Sequence, residues 1–174
     1  MAETLGHEAG LFVASGTMGN LVALLTHAGR GEEIIAGTLA HTFLYEAGGS
    51  SALGGIHPHT IPNEPDGTLD LAAVRSAIRH HEHDDHVPRT RLLCLENTHN
   101  RCGGIAVTVD YGRRLSEVAR QHGLSLHLDG ARLFNAAVAL ECDASNLAEP
   151  FDSVSVCLSK GLGAPVGSVL CGSR

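Results

Sequence analysis

Tryptophan is absent from this 174-residue chain, and aromatic residues make up only 3% of it. A core must therefore come mostly from Leu, Val, Ile and Ala. Lysine is nearly absent too: Lys160 is the only one, and the other cations are arginines. The formal charge is 12 − 19 = −7. With no basic stripe and little aromatic surface for stacking, nucleic acid is excluded as an expected partner. No apolar run approaches the ~20 residues that span a bilayer, so no membrane partner is expected. The first residues lack the positive and apolar regions of a signal peptide. Cys94, Cys102, Cys142, Cys157 and Cys171 are odd in number and form no C-x-x-C pair. They read as reduced, mostly core thiols of a cytoplasmic protein.

What is present is glycine, 21 residues of it, and 43% hydrophobic against 18% charged residues. That balance describes a folded chain rather than a disordered one. The length suits one domain or a large piece of one, able to bury roughly 70% of its unfolded surface. Frequent glycine suits the tight strand-to-helix turns of a layered α/β domain.

Periodicity gives an alternating order. Residues 17–28 read as a helix opened by the Ser15-Gly16-Thr17 turn, and 33–36 as a short buried strand. Residues 70–79 read as a helix with Asp70 as N-cap and Leu71, Val74 and Ile78 on one face. The unbroken apolar run at 91–96 predicts a strand covered on both faces. Residues 110–122 read as a helix ending at Gly123, 124–129 as a strand alternating apolar and polar, and 132–139 as a helix. Residues 153–157 and 166–171 read as strands on either side of a glycine-rich loop. The expected fold is α/β: three layers, α/β/α, around a mostly parallel sheet.

Five places carry chemistry. Lys160 follows a strand end, among small and apolar residues; enclosure there makes an amine neutral enough to form a Schiff base with an aldehyde. The plainer reading is a loop lysine, weakened by the lack of lysine elsewhere. Asp129 ends a buried strand, where parallel sheets bind ligands, and needs a cation: a protonated pyridine nitrogen or Arg132. Ser15-Gly16-Thr17 opens a helix, a place that binds phosphate; it lacks the lysine of a P-loop, and is also an ordinary helix start. His41 follows a strand by a short loop and can stack on a planar ring or serve a structural role. His99 follows the strand at 91–96, with an unperturbed pKa suited to proton transfer, or simply caps the sheet edge. The run His80-His81-Glu82-His83-Asp84-Asp85-His86 has metal-ligand residue types without fixed spacing; the solvated loop is the preferred reading, and no metal is expected.

Together these runs resemble the threonine aldolases of the aspartate-aminotransferase fold, fold type I. The matching segments are Ser15-Gly-Thr-Met-Gly-Asn20, His41 with Tyr45-Glu46-Ala47-Gly48-Gly49, and Glu96-Asn-Thr-His-Asn100 with Gly103-Gly104. Asp129-Gly-Ala-Arg132 and Leu158-Ser-Lys-Gly-Leu-Gly-Ala-Pro-Val-Gly167 follow in the family's order. The resemblance implies pyridoxal 5'-phosphate as cofactor, joined to Lys160. It implies that Asp129 pairs with the pyridine nitrogen, Gly16 and Thr17 hold the phosphate, and His41 stacks on the ring. Arg132 would meet the cofactor's phenolic oxygen or the substrate carboxylate, and His99 would lie near the substrate hydroxyl. The implied reaction is retro-aldol cleavage of L-threonine or L-allo-threonine to glycine and acetaldehyde, with His41, His99 or a water taking the hydroxyl proton.

Family members are considerably longer. Residues 1–174 are therefore expected to form part of the cofactor-binding large domain, with an N-terminal segment and a small C-terminal domain outside them. A homo-oligomer, dimer or tetramer, is expected of the full-length form. The competing expectations are an inactive fragment of such an enzyme and another β-eliminating lyase of fold type I.

Overall fold

The computed structural model describes residues 1–80 and 85–174. In chain order the elements are α1 (Ala2–Leu5), β1 (Ala9–Val13), α2 (Gly16–His27), β2 (Glu33–Gly37), α3 (His41–Leu44), α4 (Gly49–Ala52), β3 (His57–Ile61) and α5 (Leu71–Ala77). They continue with β4 (Thr90–Glu96), α6 (Val109–Gln121), β5 (Ser125–Asp129), α7 (Leu133–Ala139), α8 (Ala144–Ala148), β6 (Ser153–Cys157) and β7 (Ser168–Gly172). Every helix and strand expected from periodicity is present, with ends displaced by at most two residues. The strands β1 and β3 escaped that reading. β3 reads His-Pro-His-Thr-Ile, without apolar alternation, and its proline suits the sheet edge it occupies.

The seven strands form one sheet in the order β1-β7-β6-β5-β4-β2-β3. From β6 to β3 all neighbours are parallel, whereas β7 runs antiparallel to both β6 and β1. The apolar run at β4 explains itself here. Leu93 and Leu95 join one core with Val74, Leu115 and Leu126, while Leu92 and Cys94 join a second with Leu24 and Ile34. A strand with a core on each face has no polar position to spare. On β5 only one face is apolar: Leu126 and Leu128 enter the first core, and His127 and Asp129 point the other way, under α2.

Caps fix the helices. Asp70 accepts hydrogen bonds from Ala72 N and Ala73 N at α5, as its sequence position predicted, and Thr108 accepts from Tyr111 N at α6. α6 ends before Gly123, whose φ of 64° is left-handed. In the histidine-rich run, residues 81–84 lie outside the described residues; the His80 ring stacks on His122 at a centroid distance of 5.4 Å.

Candidate active site

Strand β5 lies between β4 and β6, with Asp129 opposite Glu96 on one side and Ser155 on the other. Helix α2 packs close on this part of the sheet, and two glycines permit it. A Cβ on Gly19 would lie 2.7 Å from Ser155 Oγ, and one on Gly16 would lie 2.8 Å from Cys157 Sγ. The close approach lowers Asn20, one turn into the helix, onto the carboxylates beneath. Its Nδ2 donates to Asp129 Oδ2 at 2.9 Å and to Glu46 Oε1 at 2.7 Å.

Three buried acids thus meet: Glu46, Glu96 and Asp129. Glu96 accepts from the backbone N–H of His41 at 2.8 Å and of Asn100 at 3.0 Å. Asp129 accepts from Ala131 N at 3.2 Å. Burial pushes the Asp129 carboxyl above its ordinary range and the Glu96 charge pushes it further; Asn20, His41 and Lys160 pull it back. Glu46 is also raised, first by burial, with Asn20 and His41 opposing. The pocket is a negative well that asks for a cation. One oxygen or nitrogen each from His41, Glu46 and Asp129 lie within 4.8 Å of one another. The Asn20 NH2 group donates to both carboxylates, however, and so puts hydrogens where a metal ion needs lone pairs.

His41 Nδ1 stands 3.0 Å from Glu46 Oε1. Donation to that carboxylate leaves His41 Nε2 as a free acceptor, the arrangement of an oriented base. His99 is different. It is buried, and Asn63 Nδ2 lies 3.1 Å from its Nε2, while Asn63 Oδ1 accepts from Leu39 N at 2.9 Å. Asn63 must therefore donate to His99 Nε2, which puts the His99 proton on Nδ1, an atom buried without a partner. Burial lowers the His99 pKa, with Glu96 opposing. As placed, His99 is a hydrogen-bond donor rather than a base.

The other expected residues sit around this cluster. Lys160 is half-buried in the 158–167 loop, which is pinned by Leu158 N to Gly167 O and Ala164 N to Leu158 O, both 2.9 Å. The enclosure expected for Lys160 is thus only partial, but its charge reaches Asp129. Gly16 and Thr17 form the first turn of α2, where Ser15 Oγ accepts from Met18 N and the earlier N–H groups have no intrahelical partner. Arg132 precedes α7, with Nη1 3.4 Å from Asn100 Oδ1. Sequence reasoning gave no role to Asn20, Glu46, Glu96 or Asn63. Asn20 left one signal: an amide inside an apolar helix, where Asn is a poor helix former. A cleft of about 790 Å³ beside Thr4, Phe134 and Val138 contains none of these residues.

A sequence profile of the Beta-eliminating lyase family matches residues 1–174. The low-specificity L-threonine aldolase 1 of Arabidopsis thaliana is 53% identical over all of this chain and 49% of its own length. The low specificity L-threonine aldolase of Escherichia coli K12 is 49% identical over 99% of this chain and 50% of its own. Among solved structures, the threonine aldolase of Leishmania major superimposes with a TM-score of 0.83 at 30% identity. That match covers 93% of this chain and 46% of the other. The chain spans about half the length of the relatives it matches.

Proposed function

The chain belongs to the Beta-eliminating lyase family, and from that membership we propose that it supplies the cofactor-binding part of a pyridoxal-phosphate-dependent aldolase. The proposed reaction splits L-threonine or L-allo-threonine into glycine and acetaldehyde. The observation that carries this reading is the buried acid at the end of β5. Asp129 is buried with a raised pKa and, among the described residues, makes no ion pair; a protonated pyridine nitrogen answers that need. The residues present fit the cofactor.

Bound there, pyridoxal phosphate supplies an electron sink for the bonds of the substrate α-carbon. Lys160 offers the amine that joins its aldehyde. Asp129 would pair with the ring nitrogen and favour its protonated form. Gly16 and Thr17 offer first-turn N–H groups to the phosphate. Arg132 offers a guanidinium to an anionic oxygen. His41 contributes a flat ring and, with Glu46 behind it, a free Nε2 that can take the hydroxyl proton of the substrate. His99, with its proton on Nδ1, donates to a substrate oxygen instead.

Residues 1–174 read as part of the cofactor-binding large domain. Exposed Phe12 and Val166 favour a homo-oligomer. Among the described residues no helix is long and apolar enough to cross a membrane. The five free cysteines favour a reducing compartment such as the cytoplasm. The test is the visible absorption of the protein with pyridoxal phosphate, beside Lys160→Ala. A Schiff-base band in the wild type alone, with acetaldehyde released from threonine, supports the proposal. Equal spectra from the two proteins overturn it.

A further inference from the structure

Asn20 and His27 are seven residues apart, two turns of α2, and so share its sheet-facing side. His127 and Asp129 are two apart on β5 and share the face under that helix. Ser153 of β6 is the register partner of His127. The three elements produce an unbroken line of hydrogen bonds. His27 Nε2 lies 2.8 Å from Ser153 Oγ, and Ser153 Oγ lies 2.8 Å from His127 Nδ1. His127 Nε2 lies 3.2 Å from Asn20 Oδ1, and Asn20 Nδ2 serves Asp129 and Glu46. His127 is fully buried, and His27, half-buried near Asp152, is the line's outer end.

Chemistry fixes the direction of this line. Only an NH2 group can donate to two carboxylate oxygens, so Asn20 Oδ1 faces His127 and accepts. His127 Nε2 must then carry a proton. Burial holds its pKa down at about 3, with the His27 charge acting the same way, so the ring is neutral and Nδ1 is bare. Ser153 must donate to that Nδ1, and its oxygen accepts from His27 Nε2–H. Each donor points toward Asp129. The reverse direction would turn the Asn20 oxygen toward Asp129 and Glu46, which is favourable only when those acids carry protons.

We propose that His127 is a positioning residue for Asp129. Held in its Nε2–H tautomer by Ser153 and His27, it locks the Asn20 amide with its NH2 group toward Asp129 and Glu46, keeping Asp129 ready for a cationic ligand. The use of Asp129 in catalysis rests on the proposed function; the direction of the relay does not. Besides Asn20 and the Ala131 N–H, the titratable groups acting on Asp129 are Glu46, Glu96, His41 and Lys160, with the Cys94 thiol also close enough to feel its charge.

The experiment is histidine-selective 15N NMR of the protein without added cofactor. His127 is expected to stay neutral with its proton on Nε2 from about pH 5 to about pH 8. A proton on Nδ1, or titration within that range, overturns the proposal. Carboxyl 13C NMR of His127→Leu supplies the second readout. Loss of the lock is expected to raise the Asp129 midpoint by about one pH unit. His127→Gln, which offers an N–H to Asn20 and a carbonyl to Ser153, is expected to restore it. An unchanged midpoint in His127→Leu, or no restoration in His127→Gln, overturns the proposal. Should His127→Leu fail to fold, the wild-type tautomer still decides. The Lys160→Ala spectrum with pyridoxal phosphate reports separately on the functional reading.

Discussion

At the scale of single residues, polar groups are buried here at real cost, and each must be compensated. An acid enclosed like Asp129 is destabilised unless hydrogen bonds or a cation restore what water supplied. Asn20, His41 and Lys160 restore part of it. His127 shows the same physics with the opposite sign. Its pKa of about 3 in the fold lies well below the 6.5 of an ordinary imidazole. Stability from keeping it neutral is fully present above about pH 6.5 and is lost as pH falls toward about 3. About 2 kcal/mol should disappear between pH 7 and about pH 5 from this group alone. His7, His27 and His99 are also lowered and act in the same direction, while the raised acids Glu46 and Asp129 oppose it. Urea denaturation at the two pH values should therefore show a smaller acid loss in His127→Gln than in the wild type. Equal losses would mean that His127 titrates normally in the fold.

At the scale of elements, the seat of α2 on the sheet decides whether a site exists. Gly16, Gly19 and Asn20 face Cys157, Ser155 and Asp129, small residues opposite small ones, so the helix comes close enough for an amide to reach the acids. Gly19→Ala puts a methyl 2.7 Å from Ser155 Oγ. We expect a loss of about 1–3 kcal/mol, from which the gain in helix propensity subtracts less than about 1 kcal/mol. The double variant Gly19→Ala/Ser155→Ala removes the clashing oxygen, which has no hydrogen-bond partner to lose. It should recover most of the melting temperature. If the double variant is as unstable as the single one, the helix is not seated on this contact. The hairpin from β6 to β7 is a second such device: it turns the chain back antiparallel and presents Lys160 in the intervening loop.

At the scale of the whole molecule, one side of the sheet is closed by a large apolar core, while the other holds the polar site. Phe12 and Val166 stand 62% and 64% exposed, and a Cβ on Gly167 would touch the Phe12 ring. Such apolar surface invites association. Sedimentation of the protein should show concentration-dependent oligomers, weakened in Phe12→Glu/Val166→Glu. A single monomeric species at every concentration would remove this support for an oligomer.

The sequence by itself determined the alternation of helix and strand, because hydrophobic period and N-caps are local. The unbroken run of β4 and the Asp70 cap needed no tertiary information. The single lysine and the strand-end Asp129 were legible for the same reason: residue type and position relative to a strand lie in the sequence. Tertiary structure alone decided the sheet order, the antiparallel β7 and the exposed-edge strands β1 and β3, whose composition carries no clear alternation. It also decided the partners. Asn20 and Asp129 are 109 residues apart and His27 and Ser153 are 126 apart, so no local pattern could pair them. They meet because glycines let one helix lie close on two parallel strands, and the direction of the hydrogen bonds then follows from which atoms can donate.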